Sequence, residues 1–157
     1  MHPRYSDSLR RALDRVAEEN PSFTMWDDLQ SLTIDLISRH RPLSIILAGS
    51  LAEGRWIKGL SDIDILIVAE GVRGSTSSGR FELRAIQGVD VNIAIYTPEE
   101  VVAGIKSLNF FIIEAIYHGI PLFGEGIFEG FVKVLEEEAN RMGLVRREGG
   151  WSFQIRT

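Results

Sequence analysis

The sequence predicts an α/β fold of the α+β kind, with strands gathered in the middle of the chain and helices on either side of them. Three observations lead there. Apolar residues recur at helical spacing before residue 41 and again after residue 97. Between those stretches, short apolar or alternating segments are bounded by glycine, proline and serine, as strands are. The 157 residues suffice for one hydrophobic core of respectable size and not for two.

Leu9, Leu13 and Val16 fall on one helical face within a charged segment that Asn20-Pro21 interrupts, which predicts a surface helix over 5–19. Ser22 or Thr24 is expected to cap a second helix carrying Trp26, Leu29, Leu32, Ile34, Leu36 and Ile37. Arg39-His40-Arg41 sets positive charge at its C-terminal end, where the helix dipole favours it, and Pro42 stops it. Leu43 to Ala48 is a short apolar run suited to a strand buried on both faces, and Gly49 to Gly59 then reads as a turn with a short helix.

From Ser61 to Val68, Ile63, Ile65 and Ile67 alternate with Asp62, Asp64 and Leu66, so the two aspartates share one face of a strand. Gly71 to Gly79, rich in glycine and serine, reads as a flexible hairpin connection between that strand and the next. Within it, Gly74 to Phe81 superficially follows a P-loop, but Arg80-Phe81 stand where lysine and a hydroxyl residue are needed, so it is a linker. Phe81 to Ile86 forms a strand, Gln87-Gly88 turns the chain, and Val89 to Ile95 places Asp90 and Asn92 on one face. The strands at 61–68, 80–86 and 89–95 are expected to lie side by side.

Thr97-Pro98-Glu99-Glu100 is a helix start with a cap, a first-turn proline and two acids. Helices are expected over 108–117 and 127–141, separated by Gly119 to Gly124, with Trp151 to Ile155 as a short edge strand or docking tail. The density of apolar residues from Phe110 to Phe123 exceeds what one small helix needs. It marks either core or a surface for a partner or self-association.

Composition narrows the function. Hydrophobic residues make up 45% and charged residues 25%, as in a soluble globular protein, and no apolar run is long enough to span a bilayer. The net charge of −5 gives no general attraction for a polyanion, which disfavours a nucleic-acid partner. Without cysteine there is no disulfide, thiol nucleophile or cysteine-bound zinc, and His2, His40 and His118 lack ligand spacing. The N-terminal residues are charged and amphipathic rather than signal-like, so the cytoplasm is the expected location.

Two carboxylates on one strand face, a third on a neighbouring strand and a Gly-Ser turn upstream form what a two-metal phosphoryl-transfer site requires. Asp62 and Asp64 would bridge the ions, and Asp90 would ligate the second and accept the nucleophile's proton. Gly49-Ser50 can hold phosphate oxygens at close range, with Arg55 and Lys58 as candidate charges on the triphosphate and Ser61, beside the acids, as a further nucleotide-binding candidate.

Gly49-Ser50, Asp62-Ile63-Asp64 and Val89-Asp90-Val91 together resemble the signature of the polymerase β nucleotidyltransferase superfamily. Leu47 to Gly54 and Ser61 to Ile67 are similar to the minimal nucleotidyltransferases of bacteria and archaea, and Ile116 to Gly124 is similar to a segment ending many such domains. Eleven residues separate Ser50 from Asp62, one more than in the commonest minimal members. The resemblance implies a polymerase β-like fold, a mixed β-sheet of about four to five strands flanked by helices. It also implies a single nucleotidyltransferase domain over 1–157, with N-terminal helices over 1–41, a catalytic core over 43–125 and a C-terminal helix and tail over 126–157. The implied chemistry is Mg²⁺-dependent, with two ions, moving a nucleoside monophosphate from a triphosphate such as ATP onto a hydroxyl. Such minimal enzymes often pair with a small helical protein of the HEPN type, as antitoxins that adenylylate the partner ribonuclease at a tyrosine. The rival expectations are a catalytically weak nucleotide-binding protein that neutralises its partner by contact, and transfer to a small molecule or RNA. A homo-oligomer is a further expectation.

Overall fold

A computed structural model describes residues 3–71 and 80–154. The connection read over Gly71 to Gly79 lies outside them from residue 72 onward, as does Ile155. In chain order the elements are α1 (Pro3–Glu19), α2 (Trp26–His40), β1 (Ser44–Ala48), α3 (Gly49–Ala52), β2 (Ile63–Val68), β3 (Arg80–Ile86) and β4 (Val89–Tyr96). Then follow α4 (Pro98–Lys106), α5 (Phe110–His118), β5 (Ile120–Phe123), α6 (Glu125–Met142), β6 (Leu144–Arg147) and β7 (Gly150–Phe153).

Five strands form one sheet in the order β3-β4-β2-β1-β5. Only β2 and β4 run parallel; the other pairs are antiparallel, so the sheet is mixed. Alternation along the strands divides the core into two layers. Ile45, Leu47, Ile63, Ile65, Ile67, Val91 and Ile93 point to one face, where Leu9, Leu13 and Val16 of α1 and Leu29, Leu32 and Leu36 of α2 cover them. Ile46, Ala48, Leu66, Val68, Ala94 and Tyr96 point to the other, beneath Val101 and Ile105 of α4, Ile112, Ile113 and Ile116 of α5, and Phe128 and Leu135 of α6. Every residue of β1 is therefore buried. The face expected for α1 from its spacing is the buried one.

Turn and cap chemistry sets the remaining joints. Gln87 and Gly88 both take positive φ, which closes β3 onto β4 through a two-residue turn whose twist suits the flanking strands. Thr97 and Glu100 form a reciprocal capping box at the start of α4, with Pro98 in the first turn, as expected. Four expectations need correction. The connection from β2 to β3 is not a hairpin, because β4 lies between those two strands. Neither Ser22 nor Thr24 caps α2; its N-cap is Met25, without a side-chain cap bond. The segment after Gly119 is a strand rather than a mere separator: β5 pairs with β1, and Ser44 Oγ donates to the Phe123 carbonyl at 2.9 Å. The end of the chain is a hairpin of β6 and β7, separate from the main sheet, rather than a lone edge strand or tail.

Candidate active site

The chain leaves β1 at Ala48 and turns at Gly49, whose φ of +67° is costly for any residue with a side chain. Ala48 pairs with Asp64 on β2, so the turn passes directly over that carboxylate. A Cβ on Gly49 would meet Asp64 Oδ2 well inside the 3.0 Å that real Cβ contacts respect. Glycine is thus needed here twice, for its backbone angle and for the close approach. On the other side Asp64 pairs with Asn92 of β4, whose Nδ2 donates to Asp64 Oδ1 at 3.2 Å.

Asp64 is half-buried, and burial holds its carboxyl above the ordinary carboxylate value. The Asn92 hydrogen bond pulls it partly back, and the negative charge of Asp62 adds to the rise. Asp62 is exposed, just before β2 begins. The parallel register pairs Ile63 with Val91, and one step back brings Asp62 level with Asp90, which is also exposed. All three acids therefore lie at one end of the β2–β4 pair. Among the described residues, however, no three acidic or histidine side chains converge closely enough to surround a metal ion.

The loop from α3 to β2 carries the other sequence candidates. Ser50 is partly buried in α3, and its carbonyl accepts from Arg55 N–H at 2.8 Å. Ser61 Oγ accepts from Ile57 N–H at 2.9 Å, which folds the loop back on itself before Asp62. Arg55 is exposed and pairs with Glu53 at 3.2 Å, while Lys58 is exposed. Neither cation is drawn to the acids. Two asparagines escaped the sequence reading. Asn92 was placed on the face of Asp90 without a role, although alternation put it there. Asn20, 2% exposed, donates to the carbonyls of Val16 and Leu51 at 2.9 Å each and accepts from Trp56 N–H at 3.1 Å. It ties the end of α1 to α3 and to the loop that follows it, and no sequence pattern announces a buried side chain of that kind.

A family model described as a nucleotidyltransferase domain matches residues 32–123, from within α2 to the end of β5. The chain belongs to the nucleotidyltransferase domain family. No curated protein matches it in sequence. Nucleotidyl transfer is accordingly the activity class of this domain, and the matched span holds Gly49, Ser50, Asp62, Asp64 and Asp90 together. The helices α4 and α5 also fall inside that span and cover the sheet face below the acids.

The donor set of the nucleotidyltransferase is all oxygen, the chemistry that a hard divalent cation prefers. Asp64 Oδ1 is engaged by Asn92, and its negative charge is undercompensated beside that of Asp62. Asp62 and Asp64 offer the kind of donor such an ion takes, since Mg²⁺ commonly uses one or two carboxylates and completes its shell with phosphate oxygens and water. No single helix among the described residues is long and apolar enough to cross a membrane.

Proposed function

We propose that this nucleotidyltransferase moves a nucleoside monophosphate, AMP from ATP, onto a hydroxyl of a protein partner and releases pyrophosphate, with Mg²⁺ as its cofactor. The observation that carries the reading is the Asp64 carboxylate. It is half-buried and oriented by Asn92, with Gly49 pressed against it and a second carboxylate two residues away. A resting protein gains nothing from concentrating uncompensated negative charge there; a cation bound with a triphosphate would use it.

Asp62 and Asp64 would hold one ion, and Asp90, level with Asp62 across the sheet, would share a second. Bound there, divalent cations supply positive charge to the triphosphate and to the departing pyrophosphate. Gly49, with no Cβ, and Ser50, with its hydroxyl, would hold the phosphate oxygens at the turn after β1. Arg55 and Lys58, exposed on the loop, can turn toward the triphosphate when it binds. Asp90 accepts the proton of the acceptor hydroxyl as its oxygen bonds to the α-phosphorus and the bond to pyrophosphate breaks. A protein acceptor is supported by the half-exposed aromatic row of Phe110, Phe111 and Tyr117 on α5. A small helical partner of the HEPN type is the acceptor suggested by the resemblance to minimal nucleotidyltransferases.

ATP labelled at the α-phosphate, with Mg²⁺ and a lysate of the source cells, tests the reading when wild type is compared with Asp62→Asn/Asp64→Asn. Label entering a discrete protein with wild type alone is the expected result. Label in RNA or a small molecule would replace the acceptor. Nucleotide binding without any transfer would leave a protein that neutralises its partner by contact.

A further inference from the structure

The two edges of the main sheet are treated differently. The β5 edge has four residues, includes Pro121, has a register break against β1 and lies under α1, whose Arg11, Ala12 and Arg15 line a cavity with Ile120 and Pro121. Those are the usual means by which proteins prevent an edge from pairing with another chain. Among the described residues the β3 edge has no proline, register break or overlying helix, and charge on Arg80, Glu82 and Arg84 is its one such device. It is seven residues long, pairs with β4 without a register break, contains neither proline nor lysine, and leaves Phe81 and Leu83 exposed at 69% and 67%.

We propose that the outer edge of β3 pairs antiparallel with the same edge of a second copy of this chain, about a two-fold axis through Leu83. The sequence of the strand is self-complementary in that register. Leu83 meets Leu83 of the second copy, Glu82 meets Arg84 in both directions, and Phe81 meets Ala85. Opposite charges and apolar pairs directly across a ladder are favourable, and a two-fold interface presents each match twice. Shifting the axis to Glu82 would set Glu82 against itself and Arg80 against Arg84, which fixes the choice of register. Glu82 and Arg84 already touch at 3.5 Å, and Arg84 reaches Asp35 on α2 at 3.0 Å, so the pairing extends an ion network rather than creating one.

The pairing also reaches the acids. Phe81, Leu83 and Ala85 lie on the sheet face that carries Asn92 and Asp90, and Ala85 is the register partner of Asp90. Each copy thereby lends its Phe81 to the rim of the other's acid edge. The inference rests on the strand alone and stands apart from the activity proposed above.

Sedimentation of the full chain tests it. Wild type is expected to be a concentration-dependent dimer of the 17.6 kDa chain. Leu83→Glu is expected to be monomeric and to melt where wild type melts once diluted to monomer, because the side chain it replaces is exposed within one copy. Glu82→Arg places arginine opposite arginine twice and should weaken dimerisation about tenfold, while Glu82→Arg/Arg84→Glu restores opposite charges and the affinity. A wild type that remains monomeric at every concentration would overturn the proposal, and so would a dimer that Leu83→Glu leaves intact.

Discussion

Replacing Gly49 by alanine separates the two demands made on that residue. Its φ of +67° costs a side-chain-bearing residue about 1–2 kcal/mol, which lowers the melting temperature of a chain this size by roughly 2–8 °C. The new Cβ also collides with Asp64 Oδ2, so the carboxylate or the turn must retreat by roughly 1 Å, a displacement that costs on the order of 100-fold in rate at a catalytic group. Gly71 is the internal control. Its φ of +68° matches, and a Cβ there meets nothing within 4 Å. Gly71→Ala should therefore lose the same stability with kcat/KM unchanged, whereas Gly49→Ala should lose both. The assay is nucleotidyl transfer from α-labelled ATP, with Mg²⁺ titrated, alongside thermal unfolding of each variant. Equal activities in the two variants would refute the view that Gly49 exists to admit the Asp64 carboxylate.

Asp64→Asn should make the metal-free chain more stable at pH 7 while abolishing transfer. The folded carboxyl sits above its ordinary value of 3.8, chiefly through burial, so the protonated form favours folding below that pH. The benefit disappears as pH rises through the folded value, after which the charge opposes folding. Melting curves in chelator across that range check the sign, and a wild type more stable than the variant at pH 7 would count against it. Asn92→Ala removes the hydrogen bond that orients Asp64 and should weaken Mg²⁺-dependent activity by about 10–100-fold, read from a metal titration. Asn20→Ala leaves the buried Leu51 carbonyl and Trp56 N–H without that side chain and should cost about 3 kcal/mol in chemical denaturation. A loss below about 1 kcal/mol would show that water or a backbone shift replaces it.

The parts of this fold that could be read from sequence are those where one physical rule acts alone. Alternation placed Asp62 and Asp64 on one face and Asp90 with Asn92 on another strand, and the capping box at Thr97 and Glu100 formed as its residue types require. Where rules compete, the reading failed. Pro121 argues against a strand, yet proline is tolerated at a sheet edge, and β5 is an edge. Leu144-Val145-Arg146-Arg147 shows no alternation, but it forms β6 because Trp151 on β7 packs against the second core layer and donates to Glu114 at 3.1 Å. Met25 begins α2 without any capping group, a start held by packing that local chemistry does not disclose. There Phe23 meets Trp26 at 4.4 Å and Trp56 at 5.0 Å. The sequence names candidate residues but not their surroundings, since the role of Asn20 depends on contacts 31 and 36 residues away.

The sheet's strand order has a consequence during synthesis. β1 finds its inner neighbour, β2, soon after it is made, but its outer neighbour is β5, which is not translated until residue 120. At ordinary elongation rates the outer edge of Ser44-Ile45-Ile46-Leu47-Ala48 therefore waits on the order of 4–15 seconds, apolar on both faces and open to any strand that passes. The β3–β4 hairpin, with its two-residue turn, closes within about 1–10 μs of emerging. A ribosome-bound chain thus holds a finished hairpin beside an unprotected strand, and a holdase that shields short apolar segments would have its binding site there until Ile120–Phe123 arrives to displace it.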